Sequence, residues 1–420
     1  MTISVVHPTG NQNVRHVLSA LHASGQLGIF ATTMGGSRYN QPRWLPERWR
    51  QEWNRRAYDL PASLIWRRPL REAGRHLASR LRLASLIRHE SGLFCIDAVY
   101  RGLDYAMKKN LARFVIKNGI TGVYGYEDGC EYTFEVAADL GISRFYDLPI
   151  AYWSTARKLL DEEAQRLPEW EPTLNGTRDS AKKHERKTRE MELANLVICP
   201  SKFVADSIPE SIRQTKDVLI APFGSPEIAD GIPAERPAGS PLRVLFAGSL
   251  TQRKGLADLF TAVKLLNRQD VELVVMGSPV ASMEFYFNQF SRFTYEPTRP
   301  HEDVLRLMQS CDVLVLPSIV EGRALVIQEA MSQGLAVIIT PNTGADDLVI
   351  EGITGFLVPI RAPEMIAERI AWLADHRSDA KEMGLQAQAK AATYTWKQYG
   401  ETITSKIQEY LNDRPHSRHN

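Results

Sequence analysis

Two glutamates eight positions apart, Glu321 and Glu329, form the most specific chemical pattern in the sequence. Glu321 follows an apolar run that predicts a buried strand, and Glu329 lies about one turn into the helix predicted for residues 325–332. Such carboxylates can accept hydrogen bonds from the vicinal hydroxyls of a sugar or ribose ring. The amides of residues 323–325 would point from the helix start toward the same ligand. The alternative is that Glu329 is an ordinary acid in the first turn of a helix.

Two adjacent cations, Arg253 and Lys254, form the second pattern. They follow the strand predicted for residues 244–247 and lie where a helix is predicted to begin. Because a helix N-terminus attracts anions and a neighbouring lysine reinforces that attraction, this loop predicts a phosphate site. The alternative is a solvated Arg–Lys pair in a surface loop.

Several common catalytic signatures are absent from the sequence. It contains no G-x-x-x-x-G-K-[ST], G-x-G-x-x-G, H-E-x-x-H or G-x-S-x-G pattern. The four cysteines include no C-x-x-C pair, so neither a zinc site nor a disulfide framework is expected. With 51 basic and 49 acidic residues the net charge is only +2, and no nucleic-acid partner is expected.

The N-terminus and the overall hydropathy predict a cytoplasmic protein. The first eight residues lack the basic start and the cleavage site of a signal peptide, and alternate like a strand. No apolar run reaches the roughly 20 residues that a membrane-spanning helix needs.

A basic, tryptophan-rich insertion covers residues 38–90. Residues 38–88 contain 13 arginines, no lysine and four acids, which gives a local charge of 13 − 4 = +9. Four of the eight tryptophans, Trp44, Trp49, Trp53 and Trp66, fall in the same stretch. Arginine with tryptophan is typical of an anionic membrane interface, so peripheral contact with the inner membrane face is one hypothesis. A solvated insertion whose aromatic rings pack on the domain is the other.

Alternating short apolar strands and helices in both halves predict an α/β protein with two doubly wound, Rossmann-like domains. Residues 225–241 are rich in proline and glycine and predict a linker between a domain at 1–224 and one at 242–391. One helix is predicted over 105–117 and a last helix within 392–413, before a frayed tail at 414–420. Since open sheets of this kind bind ligands at the carboxyl ends of their strands, a cleft between the domains is expected.

The motifs of the second half resemble family 4 of the retaining glycosyltransferases, which have the GT-B fold. Four segments show the resemblance. They are G-x-L-x-x-x-K-G at residues 248–255, D-V-L-V-L-P-S at 312–318, E-G-x-x-L-V-x-x-E-A-M-x-x-G at 321–334 and a glycine-containing segment at 343–359. It covers about 160 residues of the second half well and the first half only loosely. It implies two facing domains and a last helix that crosses back onto the N-terminal domain.

The resemblance also implies roles for individual residues. Glu329 would bind the ribose of a nucleotide, and Glu321 the hydroxyls of the donor sugar. Lys254, with Arg253, would neutralise the diphosphate, so Lys254 and Glu321 are the catalytic candidates. The remaining donor-binding candidates are loop residues, namely Gly10 and Asn11 from the first domain and Gly248, Gly322, Arg323, Ala324 and Leu325 from the second.

This sequence departs from the family pattern at three places. Ser249 stands where arginine is common, so Arg253, or secondly Arg323, is the candidate for the missing phosphate charge. Arg323 and Ala324 replace the common Phe-Gly. The acceptor-side His-Asp is matched only by Tyr146 and Asp147, and a strand-end turn is the alternative for Asp147.

The implied activity is sugar transfer with retention of configuration, from a UDP- or GDP-linked donor to a hydroxyl of a glycan or lipid-linked acceptor. Synthesis of bacterial-type cell-surface polysaccharide or lipopolysaccharide would be its setting. Neither a metal nor a cofactor besides the nucleotide-sugar substrate is implied. Two alternatives remain: a non-catalytic nucleotide-sugar-binding protein on the same scaffold, and a GT-B phosphorylase or epimerase.

Overall fold

The computed structural model describes residues 1–40, 47, 56–227 and 239–413. Three of the tryptophans in the insertion, Trp44, Trp49 and Trp53, lie outside the described residues. So do residues 228–238 of the predicted linker and the predicted tail, 414–420.

The first domain is built on a seven-stranded parallel sheet, counted over the described residues, in the order β3-β2-β1-β4-β5-β6-β7. Its inner strands are covered on both faces, as in β6, where all four residues are buried, whereas the edge strands β3 and β7 are partly exposed. The strands are β1 (Thr2–Val6), β2 (Leu27–Thr32), β3 (Ile65–Arg67), β4 (Ile120–Tyr126), β5 (Ser143–Asp147), β6 (Leu196–Cys199) and β7 (Asp217–Ile220).

The second domain is built on a six-stranded parallel sheet in the order β10-β9-β8-β11-β12-β13, again within the described ranges. The two central strands of this sheet, β8 and β11, are almost wholly buried, which fits their largely apolar sequences. The strands are β8 (Leu242–Ala247), β9 (Val271–Met276), β10 (Thr294–Glu296), β11 (Val313–Leu316), β12 (Ala336–Ile339) and β13 (Gly355–Leu357).

Helices cover both sheets and complete the doubly wound α/β architecture that the alternating sequence predicts. Those in the first half are α1 (Gln12–Ala23), α2 (Leu70–Arg80), α3 (Ile96–Lys108), α4 (Leu111–Asn118), α5 (Glu131–Asp139), α6 (Trp153–Arg166), α7 (Ala181–Leu193), α8 (Lys202–Ser207) and α9 (Glu210–Arg213). Those in the second half are α10 (Leu256–Leu266), α11 (Met283–Gln289), α12 (His301–Gln309), α13 (Leu325–Ser332), α14 (Pro363–Asp375), α15 (Arg377–Ala392) and α16 (Trp396–Asn412).

The single helix predicted over residues 105–117 is wrong, because two helices, α3 and α4, occupy this region. The chain breaks at Asn110, whose side-chain amide donates a 2.8 Å hydrogen bond to the carbonyl of Ala106. A side chain that satisfies the carbonyl at the end of one helix ends that helix and lets the next begin.

The last helix returns to the first domain, as predicted. Its start carries a capping box in which Thr395 and Gln398 satisfy each other's backbone amides. Gly400 lies so close to α1 that an added Cβ would be 2.6 Å from the Cβ of Ala20. The buried side chains of Ile403 and Ile407 join the core of the first domain.

One segment of the first half packs into the second domain. Trp170 is buried in the second domain's core, with its ring centroid 5.0 Å from that of Phe285. Just before it, Arg166 at the end of α6 donates hydrogen bonds of 2.9 and 2.8 Å to the carboxylate of Asp258 on α10. The two domains are therefore joined by α6 as well as by the chain at 225–241.

Candidate active site

An ion cluster forms where the two predicted loops of the second domain meet. The Nζ of Lys254 lies 2.6 Å from Oε1 of Glu321, and Nη1 of Arg253 lies 3.0 Å from the same oxygen. Arg253 Nη1 also donates a 2.9 Å hydrogen bond to the carbonyl of Val320. The loop that follows β8 and the loop that follows β11 are therefore held together by the side chains that the sequence singles out.

The cluster keeps Glu321 ionised although it is buried. Burial alone would raise the pKa of Glu321, but the charges of Lys254 and Arg253, and their hydrogen bonds, hold that pKa below its usual range. The side chains of Lys254 and Glu321 are only 12% and 11% exposed, so the pair interacts with little screening by water. The site offers a fixed negative charge beside two cations.

Two glycines shape the cationic loop. Gly248 ends β8 with φ +140°, and an added Cβ would lie 2.9 Å from Cδ and Cε of Lys254, so the lysine stem runs over its bare backbone. Gly255 has φ +77°, and an added Cβ would lie 2.1 Å from the carbonyl oxygen of Pro317. Both positions demand glycine, which explains the G-x-L-x-x-x-K-G pattern in local terms.

The loop from Glu321 to α13 is fixed by the chain that follows β12. The amide of Glu321 donates a 3.1 Å hydrogen bond to the carbonyl of Asn342, and the amide of Ala324 donates one of 3.1 Å to Thr343. The Ala324 amide is thus engaged within the fold, which leaves the amides of Arg323 and Leu325 as the ones that can face a ligand. The side chain of Leu325 packs against the first domain's core.

The Arg323 side chain lies within the protein core. The side chain is 1% exposed, and its guanidinium group donates to Oε1 of Gln328 at 3.0 Å and to Oδ1 of Asp347 at 2.7 Å. It also lies 5.1 Å from the ring centroid of Tyr394. Because Arg253 contacts Glu321 directly and Arg323 is engaged in this buried network, Arg253 is the better placed of the two candidates for the extra phosphate charge.

Glu329 lies on α13 beside a histidine that the sequence analysis missed. Nδ1 of His301, at the start of α12, is 3.7 Å from Oε1 of Glu329. Burial raises the pKa of Glu329, while the nearby His301 and Lys254 pull that pKa down. His301 is 55% exposed. The only sequence signal for His301 is its place after Pro300, where a helix can start.

The carboxyl ends of the two sheets face each other at Gly322. An added Cβ there would lie 1.7 Å from the carbonyl oxygen of Pro149, which follows β5 of the first domain. The hydroxyl of Ser201, which caps α8, donates a 2.7 Å hydrogen bond to the carbonyl of Gly322. The glycine of the E-G pair therefore marks one point where the two domains touch.

The first domain contributes Gly10 and Asn11 at the start of α1. The Gly10 amide donates a 2.9 Å hydrogen bond to Nδ1 of His7, and burial lowers the pKa of His7 to about 3, so its ring is a neutral acceptor. Gly10 has φ +59°, and an added Cβ would lie 2.3 Å from the hydroxyl of Tyr58. This loop borders a pocket of about 380 Å³ at the carboxyl ends of β1 and β2.

Direct contact with an acceptor does not fit Tyr146 and Asp147, because both side chains are buried. Tyr146 packs on one face of the sheet, with its hydroxyl 3.4 Å from Oε2 of Glu190. Asp147 points to the other face and accepts a 2.7 Å hydrogen bond from the hydroxyl of Tyr124. Burial raises the pKa of Asp147 to about 7. The alternation along β5 directs both residues into the layers between sheet and helices.

Comparison with protein families places the second half of the chain. Residues 231–390 match the family described as glycosyl transferases group 1. This range contains both loops of the ion cluster and Glu329. The second half therefore carries the sequence features of group-1 glycosyltransferases, in agreement with the motifs.

A curated relative and two solved structures extend the comparison. D-inositol 3-phosphate glycosyltransferase of Corynebacterium diphtheriae is 31% identical over 188 residues, 41% of this chain and 44% of that protein, so the chain spans less than half the length of this relative. Sucrose-phosphate synthase from Thermosynechococcus elongatus is 16% identical, with a TM-score of 0.68 over 99% of this chain and 100% of that one. Anabaena HepE in complex with UDP-glucose is 14% identical, with a TM-score of 0.58 over 97% and 100%. These likenesses establish the GT-B fold.

Proposed function

We propose that the protein is a retaining glycosyltransferase of family 4 that moves a sugar from a UDP- or GDP-linked donor to a hydroxyl. The main support is the contact of Lys254 and Arg253 with Glu321 at the carboxyl end of the second sheet. Glu329 lies on the helix that follows. Cations for a diphosphate and carboxylates for sugar and ribose hydroxyls lie together in one site. The group-1 family match and a fold neighbour that binds UDP-glucose support the same donor class.

In the proposed reaction the donor separates the Lys254–Glu321 pair and uses both partners. Lys254 and Arg253 turn to the diphosphate, and Glu321 accepts hydrogen bonds from the sugar. The bond from the anomeric carbon to the diphosphate breaks, and a bond from that carbon to the acceptor oxygen forms on the same face. The acceptor proton passes to the departing phosphate oxygen, which needs no base from the protein. Lys254 stabilises the charge that develops on the leaving group, so we expect turnover without a bound metal.

Nucleotide binding is the first test. In a thermal-unfolding screen against UDP, GDP, ADP and CMP, a ligand at 100 times its Kd stabilises the protein by about 2.7 kcal/mol. We expect a shift with UDP or GDP, and its loss in Glu329→Ala. Glu364→Ala, which removes an exposed acid from α14, is the matched control and should keep the shift. If no nucleotide shifts the unfolding temperature, the proposal fails.

Catalysis must also be separated from binding alone. A non-catalytic protein on this scaffold would bind the donor without releasing nucleotide from it. We expect slow hydrolysis of the matching nucleotide-sugar in water, faster turnover with an acceptor, and loss of both in Glu321→Ala. Turnover that depends on inorganic phosphate, or product formed without an acceptor, would point to a phosphorylase or an epimerase instead.

The acceptor side of the proposal includes the inner membrane face. Leu70 and Leu77 of α2 and Leu81, the residue that caps its C-terminus, are spaced to share one face and are 84%, 59% and 58% exposed. Exposed arginines flank them at positions 71, 80, 82 and 88. Apolar side chains ringed by arginine fit a surface of anionic lipid. In the part of the chain that the structure describes, no helix is long and apolar enough to cross a bilayer. We therefore propose peripheral contact from the cytoplasm, suited to a lipid-linked or glycan acceptor of cell-surface polysaccharide synthesis.

Vesicle binding tests this surface. The protein should sediment with phosphatidylglycerol vesicles at low salt, less at high salt, and little with phosphatidylcholine. Leu77→Gln combined with Leu81→Gln should weaken the binding. Leu265→Gln, on a 56% exposed leucine of the second domain, is the control that should not. Equal sedimentation of the double variant and the control would contradict membrane contact through α2.

A further inference from the structure

The pocket beside Gly10 is lined by cations. It has a volume of about 380 Å³, within the range of small-molecule sites, and three of its lining residues are Arg15, Arg56 and Arg75. Arg15 comes from α1, Arg56 from the chain before β3, and Arg75 from α2. Three separate segments therefore contribute an arginine to the lining of one cavity.

The side chains around the pocket are held in place by specific contacts. Nη1 of Arg15 donates a 2.6 Å hydrogen bond to the carbonyl of Ala57, and its guanidinium carbon lies 4.5 Å from the ring centroid of Tyr58. Nη2 of Arg56 lies 3.1 Å from Nε2 of His76, which also lines the pocket. Such anchoring lowers the entropy that is lost when a ligand orders the arginines.

Among the described residues, the carboxylate of Glu72 also lines the pocket, and it is already paired. Its side chain is 3% exposed, with Oε1 2.9 Å from Nε2 of His76 and 3.4 Å from Nη2 of Arg75. Among the described residues that line the pocket, arginines outnumber this carboxylate three to one. Glu72 orients its two partners, and the arginine-rich lining suits an anionic ligand.

The start of α1 adds to this charge. The helix begins at Gln12, and the side chain of its N-cap, Asn11, makes no capping hydrogen bond. A helix N-terminus carries partial positive charge from its unpaired amides. Since Gly10 and Arg15 both line the pocket, this N-terminus lies at its wall.

From these observations we infer that the pocket binds the phosphate group of the acceptor, so that the acceptor is a phosphorylated sugar or polyol, either free or linked to a lipid. The inference rests on the proposed transferase function and names its second substrate class. Guanidinium groups pair with phosphate oxygens in bidentate geometry, which suits a lining whose described residues include three arginines.

The place of the pocket suits a second substrate. It lies at the carboxyl end of β1, and Pro149, which meets the second domain at Gly322, follows β5. In the sheet, β4 separates β1 from β5. Two strand spacings put the pocket about 10 Å along the same edge. A sugar ring attached to the bound phosphate can therefore extend from the pocket toward the cleft.

Phosphate binding by the whole protein is the first measurement. Calorimetry with inorganic phosphate, at constant ionic strength, with chloride as reference and with the donor site filled by saturating nucleotide, should show one site. We expect Arg75→Gln and Arg56→Gln each to raise the Kd for phosphate about tenfold, since a charged hydrogen bond is lost. Arg113→Gln, an exposed arginine of α4 outside the pocket, is the matched control and should leave the Kd unchanged.

A second pair of titrations distinguishes this pocket from the donor site. We expect Glu329→Ala to lose UDP or GDP binding and keep phosphate binding, and Arg75→Gln to do the reverse. Phosphate binding that survives Arg56→Gln and Arg75→Gln, or that nucleotide displaces, would overturn the inference while leaving the proposed function intact. Failure of every nucleotide to bind would instead refute the transferase, and with it an acceptor role for the pocket.

Two further activity assays distinguish a free phosphorylated acceptor from a lipid-linked one. Free hexose and inositol phosphates are tested as acceptors with the matching nucleotide-sugar, and vesicles that carry a polyprenyl diphosphate-linked sugar form the other arm. Turnover in either arm should show a KM for the acceptor that rises about tenfold in Arg75→Gln, with the KM for the donor unchanged. Turnover only with unphosphorylated acceptors would overturn the inference.

Discussion

The two domains present their carboxyl edges to the same cleft, but they place polar residues there in different ways. In the second domain, one loop after β8 and one after β11 bring Lys254 and Glu321 to 2.6 Å. In the first domain, the polar residues at the end of β5 are turned into the core, where Asp147 meets Tyr124. Its cations gather instead at β1 and β2, from segments far apart in sequence.

This difference explains why the part of the site in the second domain can be predicted from the sequence and the part in the first domain cannot. The donor-side residues sit in short motifs because glycines such as Gly248 and Gly255 must lie at fixed offsets from Lys254. The pocket of the first domain needs only that Arg15, Arg56 and Arg75 converge, which leaves no fixed spacing. The domains thus differ in what a substitution should change: activity in the second, and stability or acceptor affinity in the first.

The largest effect that this contrast predicts is on Lys254. Lys254→Ala removes the charge proposed to stabilise the leaving diphosphate, and we expect the rate of transfer to fall about 100- to 1,000-fold. Steady-state release of nucleotide from the donor measures it. Lys264→Ala, on an exposed lysine of α10, should be as active as the unchanged protein. If both variants are equally active, the ion cluster is structural and the contrast between the domains disappears.

The contact between the domains should be the next most sensitive point. In Gly322→Ala the added methyl group would meet the carbonyl oxygen of Pro149 at 1.7 Å. Overpacking of this kind costs about 1–3 kcal/mol, so we expect the rate to fall roughly tenfold or more. Nucleotide binding, measured by thermal shift, should survive, because Lys254, Arg253 and Glu329, which are proposed to hold the diphosphate and the ribose, all lie within the second domain.

A second variant tests the contact at Gly322 by removing an atom instead of adding one. Ser201→Ala removes the hydroxyl that donates to Gly322 and also the cap of α8. Ser180→Ala removes a cap of the same type from α7. A loss of activity in Ser201→Ala but not in Ser180→Ala belongs to the domain contact; equal losses would assign it to capping alone.

Asp147 should affect stability where Lys254 affects rate. Because burial raises its pKa from 3.8 to about 7, the folded protein holds a proton that the unfolded chain releases between these values. The free energy of unfolding therefore falls as pH rises through this window, by roughly 1 kcal/mol from about pH 6 to about pH 7. Urea unfolding of Asp147→Asn should show a fall that is smaller by about this amount, and Asp139→Asn, an exposed acid of α5, should keep the full fall. A loss of nucleotide binding in Asp147→Asn would break the contrast.

His301 should give the smallest effect. It is 55% exposed and 3.7 Å from Glu329, and exposed ion pairs contribute about 0.2–1 kcal/mol. We expect His301→Ala to change the Kd of the nucleotide by no more than about fivefold. A total loss of binding, as large as in Glu329→Ala, would mean that His301 contacts the nucleotide itself.

The fold was largely predictable from the sequence because parallel strands buried on both faces leave continuous apolar runs. The bounds of α13 agree with the predicted helix at 325–332 to the residue. The predictions missed β2 and β3, and they ran α3 and α4 together, because the break at Asn110 depends on a side-chain hydrogen bond. The pattern of hydrophobicity carries no sign of such a bond.

The candidate site could be predicted where charged residues lie at fixed spacings from glycines in one short motif. Lys254, Arg253 and Glu321 meet as the motifs imply. Arg323 and Asp147 were harder to place, because the sequence shows their charge but not the buried partners that engage them, such as Asp347 and Tyr124. Side-chain direction depends on packing between distant segments, which a single sequence does not display.

The return of α16 to the first domain has a consequence for synthesis of the chain. Helix α1, whose start borders the phosphate pocket, is covered by residues 396–412. During synthesis on the ribosome, the second domain can fold while the apolar face of α1 is still uncovered, because the last helix has not yet been made. The first domain, made first, is thus completed last, and a chain that stops before Trp396 exposes that face to aggregation or chaperone binding.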